Sequence, residues 1–164
     1  MENETPRTQT FFRFEDLRIY HKALDYIDWV YNATGLFPSE HSSELINRFN
    51  ASAQDIALYI SEGSARNKSQ FVYYLKMAKS SIRECVVFTS VAEKQGLLTD
   101  TLVDESRTFL MEMTKMIGAL IGSLQKSNHK NNNSSYHPNR TDDEQHPEPQ
   151  EIIENDSSTE VFGN

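Results

Sequence analysis

Between Asp55 and Cys85 the chain reads DIALYISEGSARNKSQFVYYLKMAKSSIREC, and no other stretch constrains the fold as tightly. A charge-poor apolar segment breaks at Glu62-Gly63 and a short polar turn follows. A second long segment then opens on Phe71, Tyr73 and Tyr74. Both segments carry helical rather than strand-like periodicity, and two helices joined by so short a link fold back on each other as an antiparallel hairpin. The stretch brings together no set of residues that performs chemistry.

The same periodicity extends to both sides and predicts four helices. The first runs from about Asp16 to Thr34 with Leu17, Tyr20, Leu24, Ile27 and Tyr31 on one face, stopped by Gly35 and Pro38. The second begins near Ser42 and carries Leu45, Phe49, Ala53, Ile56 and Ile60 to its end at Gly63. The third starts at Asn67, which with Gln70 has the spacing of a capping box, and continues through Leu75, Ala78, Ile82, Cys85 and Thr89 to Gly96. Thr99 or Asp100 caps the fourth, whose stripe is Leu102, Ser106, Phe109, Met113, Ile117, Leu120 and Leu124. Long helices joined by short links pack best antiparallel, so the expected fold is all-α, an up-down-up-down four-helix bundle. No repeat of solenoid period and no glycine-rich phosphate loop is visible.

Composition sets the boundaries. From Ser127 onward Asn, Ser, His, Pro and acidic residues replace the apolar ones until Ile152-Ile153 and Val161-Phe162. Such a composition does not repay the entropy of ordering. The expected organisation is a disordered arm over residues 1–10, a bundle over 11–126 and a disordered acidic tail over 127–164.

The tail places Asp142, Asp143, Glu144, Glu148, Glu151, Glu154, Asp156 and Glu160 against Lys130 and Arg140, so it holds most of the formal charge of −8. A near-neutral body is not the footprint of a strong nucleic-acid binder. The tail itself reads as a solubilising spacer, with mimicry of nucleic acid or docking through Val161-Phe162 as its functional alternative. With one cysteine, Cys85, no intrachain disulfide forms. The polar N-terminus has no secretory h-region, and no apolar run approaches the roughly 18 residues that span a bilayer. The expectation is a soluble, cytoplasmic protein with no membrane contact.

Several segments are apolar over a wider arc than one bundle buries. Val72-Tyr73-Tyr74-Leu75, Val86-Val87-Phe88, Trp29-Val30-Tyr31 and Phe109-Leu110-Met111 each sweep well past the roughly 100° that faces a core. Helix two adds Glu44, Arg48, Asp55 and Glu62 as one thin charged stripe among small residues. This pattern predicts a homo-oligomer with Tyr73 and Val87 at a subunit interface and that stripe lining a central channel.

A second candidate surface is basic. Lys76, Lys79 and Arg83 fall at i, i+3 and i+7 on helix three, with Arg66 and Lys68 at its mouth. Like charges at this spacing repel by a few tenths of a kcal/mol, and an anionic partner such as RNA or DNA would explain them. The alternative is a solvated helix face. Glu62 at a helix C-terminus is set against the helix dipole, and Arg66 is its expected structural partner. Cys85 reads as a buried, inert thiol. His21 and His41 lack metal-ligand spacing, and His129, His137 and His146 lie in the tail. Arg140 and His146 have a separation seen in some helical ribonucleases, but in a segment without fixed geometry. No catalytic residue, metal or cofactor is assigned.

Phe14-Glu15-Asp16-Leu17, Phe37-Pro38, Ile60-Ser61-Glu62-Gly63, Arg66, Tyr74-Leu75, Ser81-Ile82-Arg83-Glu84-Cys85 and Lys94-Gln95-Gly96-Leu97-Leu98 occur in order. In this series, covering Phe14 to about Leu124, the chain resembles the four-helix bundle family typified by proteins encoded within intervening sequences of large-subunit ribosomal RNA. That family pattern includes the accessory variability proteins of diversity-generating retroelements. The resemblance implies a homopentameric, barrel-like, non-catalytic assembly, with a basic surface in some members that binds nucleic acid or a reverse transcriptase. Where helix two of the family often carries paired arginines this chain has Asn50 and Ala51, and Ala57 stands near a position that is often proline.

The expected function is a non-enzymatic oligomerisation module serving as a scaffold or accessory protein. A helical nuclease or toxin-type enzyme is the rival, and it requires a polar triad converging in one cleft.

Overall fold

The structure is a computed structural model and describes residues 11–132. A 3-10 turn, Arg13–Asp16, leads into α1 (Arg18–Thr34), α2 (Ser39–Ser64), α3 (Lys68–Lys94) and α4 (Asp100–Asn132). No strand occurs among the described residues. The helices form a ring in which α1 packs on α2 and α4, and α3 packs on α2 and α4.

Cross-helix contacts pair rising numbers on one helix with falling numbers on the next. Tyr31 and Thr34 of α1 meet Gln54 and Asn50 of α2. Phe49, Ser52 and Tyr59 of α2 meet Phe88, Glu84 and Tyr74 of α3. Lys22, Tyr26 and Trp29 of α1 meet Glu112, Ser106 and Glu105 of α4. Each of these helix pairs therefore runs in opposite senses, as short links favour.

The links are built from the residues that the periodicity singled out. Asn67 takes extended backbone angles and its Oδ1 accepts the Gln70 N–H at 3.0 Å, capping α3. Thr99 Oγ1 accepts the Leu102 N–H at 3.4 Å at the start of α4. Gly96 has φ +69, a left-handed conformation that costs glycine nothing. Around it Leu97 N–H donates to Ala92 O and Gly96 N–H to Glu93 O, both at 2.9 Å. That is the Schellman ending of α3, and Leu97 packs with Ala92.

Gly63 has a different task. A Cβ there would stand 2.7 Å from Tyr74 Cβ and 2.8 Å from Phe71 Cδ2, so its bare backbone lets the α2–α3 hairpin close.

Three boundaries depart from expectation. Leu17 is extended (φ −80, ψ 121), so α1 begins at Arg18, and Asp16 belongs to the preceding 3-10 turn. Pro38 supplies an extended N-cap and α2 starts at Ser39, ahead of Ser42. The fourth helix continues past Lys126 to Asn132. The expectations for residues 1–10 and for the tail beyond Asn132 lie outside the described residues.

The larger correction concerns α1. Its buried face is Ile19, Ala23, Tyr26, Val30 and Ala33, whereas Leu24 and Tyr31 are exposed and Leu17, Tyr20 and Ile27 are half-buried. Two apolar stripes compete on this helix. Small Ala23 and Ala33 allow close approach, and Tyr26 finds buried hydroxyl partners, so the less bulky stripe faces inward. On α2, α3 and α4 the stripes fall as expected, through Phe49, Ile56 and Ile60, Leu75, Ile82 and Cys85, and Met113 and Ile117. A satellite cluster of Ala33, Phe37, Ala92, Leu98 and Val103 seals the end holding the α1–α2 and α3–α4 links.

Candidate functional site

The five predicted cations do not form one surface. Arg66 is committed to Glu62, to which its Nε donates at 3.0 Å and with which it forms an i,i+4 ion pair. The hydrogen bond and the charge of Glu62 push the Arg66 pKa further up. This pair restrains the end of α2, as its opposition to the helix dipole requires. Lys68 is exposed in the first turn of α3. Lys76 and Arg83, seven residues apart, lie on one outward line, while Lys79 is half-buried and set about 60° round the helix.

The predicted interface residues Tyr73 and Val87 occupy the same line. Tyr73, Lys76, Ser80, Arg83 and Val87 follow at helical spacing along the outer face of α3, with Tyr73 59% and Val87 58% exposed. Arg83 Nη2 reaches Ser80 Oγ at 3.5 Å. Among the described residues neither Lys76 nor Arg83 has a carboxylate within ion-pair distance. One stripe therefore joins two features that the sequence had suggested separately.

The charged line on α2 is less uniform than expected. Glu44, Arg48 and Glu62 are exposed, and Arg48 lies over the Phe88 ring at 5.4 Å. Asp55 is half-buried against α3, where burial first and the charge of Glu84 second push its carboxyl pKa up. Glu84 Oε2 accepts the Ser52 hydroxyl at 2.7 Å.

Three arrangements escaped the sequence reading. The first is a buried hydroxyl chain linking α1, α3 and α4. Tyr26 OH lies 3.0 Å from Ser106 Oγ, Ser106 Oγ lies 2.7 Å from Thr89 Oγ1, and Thr89 donates to Cys85 O at 2.8 Å. Each hydroxyl has one proton. With Thr89 spending its proton on the carbonyl, Ser106 donates to Thr89 and Tyr26 to Ser106. Ser106 and Thr89 within apolar stripes were the available signal. Burial, more than any other cause, pushes the neighbouring Cys85 thiol up to about 12 and the Tyr26 phenol well above its ordinary value. Both groups therefore stay protonated at neutral pH.

The second is an acidic, apolar-floored face between α1 and α4. Two adjoining grooves of about 420 and 410 Å³ share Glu105 and Phe109. Trp29, Leu102 and Phe109 form their floor, and Asp25, Asp28, Asp104 and Glu112 line them with Glu105. Trp29 stacks on Tyr26 and its Nε1 donates to Glu105 Oε2 at 2.9 Å. Lys22, the one cation lining them among the described residues, pairs with Glu112 at 2.5 Å and covers the Phe109 ring at 4.8 Å. The third is an open groove of about 900 Å³ at the start of α1, lined by Glu15, Asp16, Arg18, His21 and Lys22 among others. His21 Nε2 lies 2.6 Å from Glu15 O, and among the described residues no serine, threonine or cysteine lines that groove. Among the described residues no His, Cys, Asp and Glu cluster has metal-binding geometry, and no helix is long and apolar enough to cross a membrane.

Against this geometry, the family model of the 23S rRNA-intervening sequence protein matches residues 15–119. The chain belongs to that family. The match spans the end of the 3-10 turn, α1, α2, α3 and most of α4, which is the bundle itself. No curated protein matches the chain. An intervening sequence protein with this bundle is small and helical, and the grooves described above are open to solvent.

Proposed function

We propose that this intervening sequence protein is a non-catalytic, self-assembling scaffold or accessory factor of the cytoplasm, with the homopentamer as its working form. One observation carries the reading: every helix turns large apolar side chains outward. Leu24 and Tyr31 of α1, Leu58 of α2, Tyr73 and Val87 of α3 and Met111 of α4 are all more than two-fifths exposed. Scattered singly these would be ordinary. Their recurrence on all four helices is what a subunit buried among neighbours carries. Multi-angle light scattering of the full chain tests the reading, and a mass of one chain at micromolar concentration refutes it.

A second reading has its own support. Lys76 and Arg83, without an acidic partner among the described residues and flanked by exposed Tyr73, suit phosphates and an unstacked base. RNA, DNA, or a reverse transcriptase holding either, is then the partner class. Gel-shift titration at two salt concentrations separates the readings, because phosphate contacts weaken steeply with salt. Turnover of the nucleic acid in the same lanes would restore the enzyme alternative.

A further inference from the structure

We infer that the outer stripe of α3 in one copy of this chain docks into the acidic groove between α1 and α4 of a second copy, so that the subunits join head to tail. The inference rests on the oligomeric reading above and specifies which faces meet.

The two faces complement each other in charge and in apolar content. The α3 stripe presents Lys76 and Arg83 between exposed Tyr73 and Val87, and neither cation has a carboxylate partner among the described residues. The groove has the opposite character, with the five carboxylates Asp25, Asp28, Asp104, Glu105 and Glu112 against Lys22, which pairs with Glu112 through Oε2. Its floor of Trp29, Leu102 and Phe109 is the kind of surface that an aromatic ring and a valine cover.

Spacing agrees as well. Lys76 and Arg83 are seven residues apart, as are Glu105 and Glu112, so each pair spans about 10.5 Å along one line of its helix. A helix laid along the groove brings both cations opposite carboxylates at once.

Charge also dictates the symmetry. The α3 stripe does not pair with itself, since cation would face cation, and the groove meets the same obstacle with its carboxylates. A two-fold dimer through either face is therefore disfavoured. Unlike faces joined head to tail close into a ring when the rotation per step divides a full turn.

Sedimentation velocity of the full chain at micromolar concentration tests this with three variants: Lys76→Glu/Arg83→Glu, Glu105→Lys/Glu112→Lys, and the four changes together. Each double variant is expected to raise the dissociation constant at least tenfold, and the quadruple variant to recover the wild-type assembly. Lys76 and Arg83 are exposed and contribute nothing to the core, so the first variant decides the matter even if the groove variant loses helicity by circular dichroism. Wild-type assembly persisting in Lys76→Glu/Arg83→Glu overturns the inference. If that variant also loses binding to a single-stranded RNA oligonucleotide, the stripe is a nucleic-acid surface instead. A wild-type chain that sediments as a monomer refutes the oligomeric reading itself, which is a separate result.

Discussion

Tyr26 OH stands 3.0 Å from Ser106 Oγ in a buried contact between α1 and α4, and this contact selects the side of α1 that faces inward. Rotating α1 to bury Leu24 and Tyr31 would break this contact. Tyr26→Phe leaves Ser106 bonded to Thr89 and is expected to cost about 1 kcal/mol. Ser106→Ala leaves the Tyr26 hydroxyl buried without its partner and should cost more, about 1–3 kcal/mol. Urea denaturation of both and of the double variant is expected to show a combined loss smaller than the sum.

Gly63→Ala should destabilise the hairpin by about 1–3 kcal/mol, the usual cost of overpacking, because the new methyl meets Tyr74 and Phe71. Gly118→Ala on α4 meets nothing within 4 Å and should instead stabilise by roughly 0.5–1 kcal/mol through helix propensity. Thermal melting of the two variants is expected to shift in opposite directions.

The Cys85 thiol is fully buried and pushed up to about 12, so almost no thiolate exists at pH 8. A chromogenic disulfide reagent is expected to leave the native protein unlabelled over minutes and to label one thiol per chain in urea. Rapid native labelling would place the core in exchange with an open form.

Asp55 carries a raised pKa from burial and from Glu84, and the sign of its effect on stability follows. The folded state holds the proton more tightly than the unfolded chain, whose carboxyl titrates near 3.9. This residue's penalty is absent below that value and grows as pH rises through the folded pKa. Asp55→Asn should therefore raise the melting temperature at pH 7, with the gain shrinking on acidification. An equal gain at every pH would mean that the Asp55 carboxyl pKa is not raised in the fold.

Much of this architecture was legible in the sequence. Asn67, Gly96 and Thr99 mark helix ends through local backbone chemistry, and such signals do not depend on the rest of the fold. The rotation of α1 was not legible, because a stripe of Leu24 and Tyr31 has the same character as one of Ile19 and Tyr26, and partners on α4 distinguish the two. Likewise Lys76 and Tyr73 were each visible as surface candidates on one helix, but the acidic groove appears only once α1 and α4 are placed side by side. The groove draws Asp25 and Asp28 from one helix and Asp104 and Glu105 from another, and no sequence window contains both.

The central claim is that outward apolar residues on all four helices are covered by further copies of the chain. Native mass spectrometry of the full-length protein, sprayed from low-micromolar solution, tests it most directly. The account predicts one dominant species of five chains, with Tyr73→Glu/Val87→Glu shifting the population to single chains. A wild-type spectrum containing only single chains would contradict it.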